Sequence, residues 1–235
     1  MKPKRFKNDK FNQLPKIDKV FKAEAISEDT SKITIYGDIG ESWWGDYVTA
    51  KDVESMLKGI NTQNIKVHIN SYGGDVFDGI AIYNQLKNHE AKVIVAVDGV
   101  AASAASIIAM AADELIMNTG SMMMIHEGAT IAMGTKTDIR KTLNALEGID
   151  RSLADIYMTR YQGDREEIDT LIVNETWFTS NEAVEVGLAD KVSNTPAVED
   201  PEEFKNSILQ KFRMNNPEPI MASGKNNIIS RFKRQ

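Results

Sequence analysis

Cysteine is absent from all 235 residues. That one absence excludes disulfides, thiolate catalysis and cysteine-ligated metal, and it suits a reducing compartment. No apolar run approaches the roughly 18–20 residues that a membrane-spanning helix needs, so no membrane partner is expected. The basic opening MKPKRFKNDKFNQLPK has no apolar stretch behind it. It does not read as a secretory signal, and a cytoplasmic setting is expected. P-loop, zinc-ligand and dinucleotide-binding patterns are missing too, so no cofactor and no metal are implied.

What is present is ordinary for a globular protein: 42% hydrophobic and 26% charged residues. The net charge of -6 conceals a split. Residues 1–22 carry eight Lys/Arg against Asp9 and Asp18, and the stretch from Gly224 to Gln235 is basic again. Neither end interleaves its charge with aromatic stacking platforms, so solvated tails are favoured over nucleic-acid contact. The expected organisation is a basic mobile segment at 1–30, a catalytic domain at 31–195 and a flexible tail at 196–235. That last tail has room for one short helix around Phe204–Phe212.

Along the body, strand and helix patterns alternate. KITIY, IKVHI (Ile65–Ile69) and KVIVAV (Lys92–Val97) read as strands, the last as one buried on both faces. Thr49 reads as an N-cap for a helix carrying Val53, Met56, Leu57 and Ile60, and a helix is expected over 76–87. The small-residue run VAASAASIIAMAA after Gly99 is helical in pattern. ELIMN and SMMMIHE read as two short strands around Gly120, and a long helix is expected over about 137–161. Asp164 and Thr179 each open a capping-box pattern, Gly187 is placed to end the last helix, and LADKV closes as a strand. This alternation argues for an α/β fold.

Three short stretches could carry chemistry. In GVAASAA, Ser103 stands where a buried strand turns into a helix, a place whose amides favour developing negative charge. Alone, such a serine is more often a cap or a packing residue, as Ser106 should be. In INSYGGD, Gly73 and Gly74 allow backbone amides to approach a ligand, as an acyl-transfer site requires; the plain alternative is a tight turn. In MMMIH, His126 ends an apolar strand, where an imidazole can be held yet reach a pocket as a general base. His68 within a strand and His89 in a polar turn are expected to be structural.

Taken together, INSxGG, GxAAS, MIH and the closing segment EAVEVGLAD (Glu182–Asp190) resemble the Clp protease proteolytic subunit (ClpP) family, over roughly Ile33 to Val192. The resemblance implies an α/β ClpP/crotonase-like fold of stacked β-β-α units with a long handle helix, here about 137–161. It implies serine peptidase chemistry, with Ser103 as nucleophile and His126 as base. The amides of Gly73, Gly74 and Ala104 would form the oxyanion hole. A homo-oligomeric ring, a polypeptide substrate and an AAA+ unfoldase partner are implied as well.

The chain departs from the family at Tyr72, where Pro is usual, and at Ala104-Ala105, where Met-Gly is usual. The family's orienting Asp falls, without gaps, on Leu171, which cannot orient an imidazole. Asp169, Asn174 and Glu175 lie nearby. Glu175 is the tentative third member, since it lies one helical turn on and on the same face if the helix persists. The segment NETWFT (Asn174–Thr179) and the basic ends look more like the phage and prophage branch. Its members resemble head maturation proteases that trim scaffold and capsid proteins in the host cytoplasm or the assembling head. Two alternatives stay open: a crotonase-type acyl-CoA enzyme, and an inactive ring subunit of the same fold. Chemistry pairing Ser with Lys is disfavoured, because no lysine falls between Gly99 and Thr135.

Overall fold

The alternation of apolar and polar residues over Asn64–Ser71 makes a strand with one face in the core and the other half-open. In the computed structural model, which describes residues 16–40 and 47–193, that strand lies near the middle of an eight-stranded sheet. Trp43-Trp44, the tail at 196–235 with its expected helix, and the first half of the N-terminal segment lie outside the described residues.

In chain order the elements are β1 (Val20–Ala25), β2 (Thr30–Tyr36), β3 (Asp38–Ile39), β4 (Tyr47–Val48), α1 (Ala50–Leu57), β5 (Asn64–Ser71), α2 (Val76–Lys87) and β6 (Lys92–Ala102). They continue with α3 (Ala104–Ala109), β7 (Glu114–Asn118), β8 (Met122–Ile125), α4 (Lys136–Tyr157), α5 (Arg165–Val173), β9 (Thr176–Thr179), α6 (Ser180–Glu185) and β10 (Lys191–Ser193). The main path of the sheet is β1-β2-β5-β6-β7-β10, parallel except for β1 against β2. Capping boxes at Asp164 and Thr179 start their helices as the sequence pattern predicts, Thr49 caps α1 as expected, and a further capping box at Thr135 opens α4.

Three departures from expectation concern β1, β6 and α4. β1 falls inside the segment expected to be a mobile tail. Its Val20–Ala25 pairs with Tyr36–Ser31, so structured chain begins well before Ser31. Short and mostly exposed, β1 lacks the apolar period that would have signalled it. The second departure is β6, which runs on to Ala102 through residues expected to be helical. It is buried on both faces only in part, since Ile94 and Asp98 are half-buried and Lys92 is exposed. In the third, α4 stops at Tyr157 rather than near 161. Its first half leaves Ile139 and Leu143 about half exposed, while Ile149, Leu153, Ile156 and Tyr157 pack into the core.

The closing motif is an architectural one. Asp190 accepts from the Leu115 amide at 2.5 Å and pairs with Arg160, whose guanidinium also donates to the carbonyls of Leu188 and Ala112. These bonds tie the segment after α6 to β7 and to the carbonyl of Ala112.

The sheet branches at β6. Ile94–Val97 pair with β7, whereas Val100–Ala102 pair with β8. Asp98 sits at the branch point. Its carboxylate accepts from the Tyr36 hydroxyl at 2.5 Å and the Asn118 amide at 2.6 Å, and faces His68 Nδ1 at 2.8 Å. Burial opposes its charge, but the hydrogen bonds from His68 and Tyr36 prevail and hold its pKa below the usual value. The Tyr36 phenol is pushed up to about 12 by burial and by the carboxylate it serves. A depressed carboxylate stabilises the fold above its unfolded pKa, and that contribution is lost as pH falls through the folded value. Asp98→Ala should therefore lower unfolding stability by about 1–3 kcal/mol at neutral pH, since it leaves three half-buried polar groups without their shared acceptor. In denaturant titrations the gap between variant and wild type should narrow below about pH 4.

Candidate active site

At the carboxyl end of β5 the chain turns through Ser71–Asp75. The buried Ser71 hydroxyl accepts from the Gly73 N–H at 2.9 Å, and the Gly73 carbonyl accepts from the Ile39 N–H at 2.9 Å. Gly73 and Gly74 have φ of +94° and +152°, which side chains rarely adopt. Space forbids a side chain as well. A Cβ on Gly73 would lie 2.5 Å from the Ala102 carbonyl oxygen and 2.8 Å from the Ala104 nitrogen; one on Gly74 would lie 2.0 Å from the Ile39 carbonyl oxygen. Gly73 thus sits directly against the turn that carries Ser103, and Gly74 against the backbone of Ile39. The same turn also sorts the expected amides. The Gly73 N–H is taken by Ser71, whereas among the described residues those of Gly74 and Ala104 have no acceptor.

Ser103 joins β6 to α3 with φ 55° and ψ -126°, a strained conformation for a residue with a Cβ. Its N–H donates to the Met124 carbonyl at 3.0 Å, fastening the turn to β8. This is the physical pattern of a nucleophile elbow, a sharp strand-to-helix turn that lifts a hydroxyl clear of the backbone. With only six residues α3 has a short aligned dipole, so individual N–H groups matter more here than the helix as a whole. His126 follows β8 by one residue and is buried. Because Ala102 pairs with Met124, the parallel register of β6 and β8 delivers both side chains to one end of the sheet. His126 Nε2 lies 2.7 Å from Ser103 Oγ.

The remaining candidates separate cleanly. Ser106 is fully buried and bonded within the core, and Ser121 is buried. His68 belongs to the Asp98 cluster, and His89 Nδ1 accepts from the Ala91 amide at 3.0 Å in its own turn. Leu171 packs against the core. Asp169 is exposed and engaged by Arg165 at 2.9 Å on α5. Asn174 caps α5 and is exposed.

The helix does not persist to Glu175. It ends at Val173, and Glu175 takes a left-handed φ of 49°. The expected adjacency through one helical face is therefore wrong, yet β9 supplies another route. It runs antiparallel to β8, and the ladder ends with Ile125 opposite Thr176; His126 follows that last pair on one strand and Glu175 precedes it on the other.

A small cleft opens at the Ser103–His126 pair, walled by Val76, Ile107, Leu153 and Tyr157 and edged by Gly74 and Gly128. Asp150 on α4 accepts from the Gly128 N–H at 2.7 Å, pinning the segment after His126 to that helix. Burial raises the Asp150 pKa above the usual value. Chemically, the imidazole can take the hydroxyl proton while adjacent amides meet the oxyanion of a tetrahedral adduct.

A family profile described as Clp protease matches residues 29–196. The chain belongs to the Clp protease family. Its enzyme class is therefore that family's, serine-type endopeptidase, which displaces the acyl-CoA alternative. It is similar to the ATP-dependent Clp protease proteolytic subunit 1 of Protochlamydia amoebophila, 34% identical over 131 residues, which are 54% of this chain and 64% of that one. The corresponding subunit of Bacteroides thetaiotaomicron is 28% identical over 153 residues, covering 63% of this chain and 70% of the relative. Among solved structures, a variant of ClpP1 from Listeria monocytogenes matches with a TM-score of 0.56 at 25% identity. That match covers 70% of this chain and 92% of the other.

Given this Clp protease geometry, a fluorophosphonate probe should label Ser103 and neither Ser106 nor Ser121, as read by peptide mass spectrometry. Gly73→Ala should reduce labelling by about a hundredfold or more, because the added Cβ displaces the turn that carries the hydroxyl and the Ala104 amide.

Proposed function

We propose that this chain is an active serine endopeptidase in which Ser103 attacks the scissile carbonyl and His126 is the general base. One observation carries the assignment: the 2.7 Å contact between His126 Nε2 and the hydroxyl of a serine in a strained turn. His126 takes the Ser103 proton as Oγ bonds to the carbonyl carbon, then returns it to the leaving amine; water repeats the cycle on the acyl-enzyme. The Gly74 and Ala104 N–H groups stabilise the oxyanion. Glu175 orients the imidazole, a role supported by its place just before β9 at the end of the ladder where His126 leaves β8.

The partners follow from the same reading. The substrate is a polypeptide, and subunits join through the projecting half of α4 and the segment before it. Ile131, Met133, Ile139 and Leu143 there are 49–84% exposed, an apolar surface that a second copy would cover. A closed homo-oligomeric ring is the assembly this implies. The NETWFT segment and the basic ends of the sequence support a place in the phage and prophage branch, with scaffold and capsid proteins as substrates. Cleavage is then either independent of ATP or assisted by an AAA+ unfoldase. The chain acts in the host cytoplasm or the assembling head.

Glu175→Gln should cut peptidase turnover by at least about tenfold while Asp169→Asn stays near wild type. Two neutral results would leave a Ser–His dyad. Sedimentation velocity at micromolar concentration should show an oligomer; a monomer would remove the ring. Unfolded casein should be cleaved without ATP. Labelled Ser103 with no casein cleavage would require an unfoldase, and no labelling at all would favour the inactive ring subunit.

A further inference from the structure

Ser106 is three residues beyond Ser103 and fully buried, so it touches no substrate. Its hydroxyl nevertheless reaches back to the Ser103 carbonyl, donating at 2.7 Å. A hydroxyl has one proton, and this one is spent on that carbonyl. The second contact of Ser106 Oγ, 2.8 Å from the Tyr157 hydroxyl, must then be donated by the tyrosine. A directed relay results, running from Tyr157 on α4 through Ser106 on α3 to the carbonyl of Ser103. Tyr157 is 1% exposed, and burial raises its pKa, so it remains a donor across the working pH range.

The carbonyl of Ser103 and the N–H of Ala104 are two ends of one planar trans peptide and point in opposite directions. Tying the carbonyl inward to α3 and α4 therefore turns the Ala104 N–H outward. The Ser106 and Ile107 amides also donate to this carbonyl, at 2.9 and 3.3 Å, and would by themselves hold an ordinary helix start. Here the peptide follows a residue at φ 55°, a strained conformation that something must hold in place. On the other side Gly73 is packed against the same peptide, too close to the Ala104 nitrogen for even a Cβ to fit.

We propose that Ser106 and Tyr157 are positioning residues of the protease: their hydrogen-bond relay sets the 103–104 peptide so that the Ala104 N–H faces the oxyanion. The inference rests on the assignment of Ser103 as nucleophile, and its test keeps the two apart. Ser106→Ala, Tyr157→Phe and the double variant are purified as assembled protein beside Ser103→Ala. Each is assayed for peptide cleavage and for inhibition by a peptide boronate, whose tetrahedral adduct uses the oxyanion site.

The relay predicts a fall in kcat of about tenfold to a hundredfold, the lower part of what a lost oxyanion donor costs. KM should stay within about twofold, and boronate affinity should fall in step with kcat. The pH midpoint of kcat/KM should not move, because His126 is untouched. The double variant should lose no more than the worse single one, since both break one chain. Wild-type kcat and boronate affinity in Tyr157→Phe would overturn the relay, as would additive losses or a fall in melting temperature without a fall in boronate affinity. If Ser106→Ala fails to fold, Tyr157→Phe decides alone. Full activity in Ser103→Ala would instead sink the nucleophile assignment itself.

Discussion

The site depends on holding one residue with a Cβ at a positive φ. Ser103 cannot relax into a regular strand or helix, because both sides of its peptide are engaged. Its N–H is fastened to β8, its carbonyl to α3, and its Cβ lies against Gly73, where only glycine fits. Strain of this kind persists only where the surroundings over-determine it. Here they do so from three directions, and the same contacts that impose the strain also bring His126 within hydrogen-bond reach.

The sheet makes this arrangement available by branching. Up to Val97 strand β6 belongs with β7; from Val100 it belongs with β8. The change of partner carries its end away from the main sheet path and places it beside the strand that delivers His126. Asp98 occupies the break, drawing Tyr36, His68 and Asn118 from three neighbouring strands onto one carboxylate. Asn70 contributes by accepting from the Val100 amide at 3.2 Å where the β5–β6 register shifts. A polar cluster on the half-open face thus stabilises a branch whose consequence lies at the strand's end.

Much of the site was legible in the chain because it is local. Glycines at 73 and 74 announce a backbone approach, GVAAS places a serine at a turn, and MMMIH puts a histidine at a strand end, which alone is more often a satisfied surface residue and gains meaning from the other two. The boundaries that failed are those set by partners. Val100–Ala102 look helical because their small side chains carry no period, and they become strand because β8 offers them a ladder. β1 was invisible for the same reason: its residues are mostly exposed, and only pairing with β2 orders them. For Glu175 the helical-face argument failed because α5 ends at Val173, and the residue instead precedes β9 at the end of its ladder with β8.

Sequence alone indicated the α/β class, helix starts at Thr49, Asp164 and Thr179, and the glycines beside Ser103, each from short-range stereochemistry; the pairing of Ser103 with His126 came from the resemblance to the Clp protease family, since neither stretch singles it out alone. Tertiary structure decided which amides remain available, because Gly73 loses its N–H to a serine two residues away. It also decided how Ser106 and Tyr157, fifty-one positions apart, meet behind the nucleophile. Spacing along the chain carries no information about such a contact, which exists only once α4 has packed its second half onto α3.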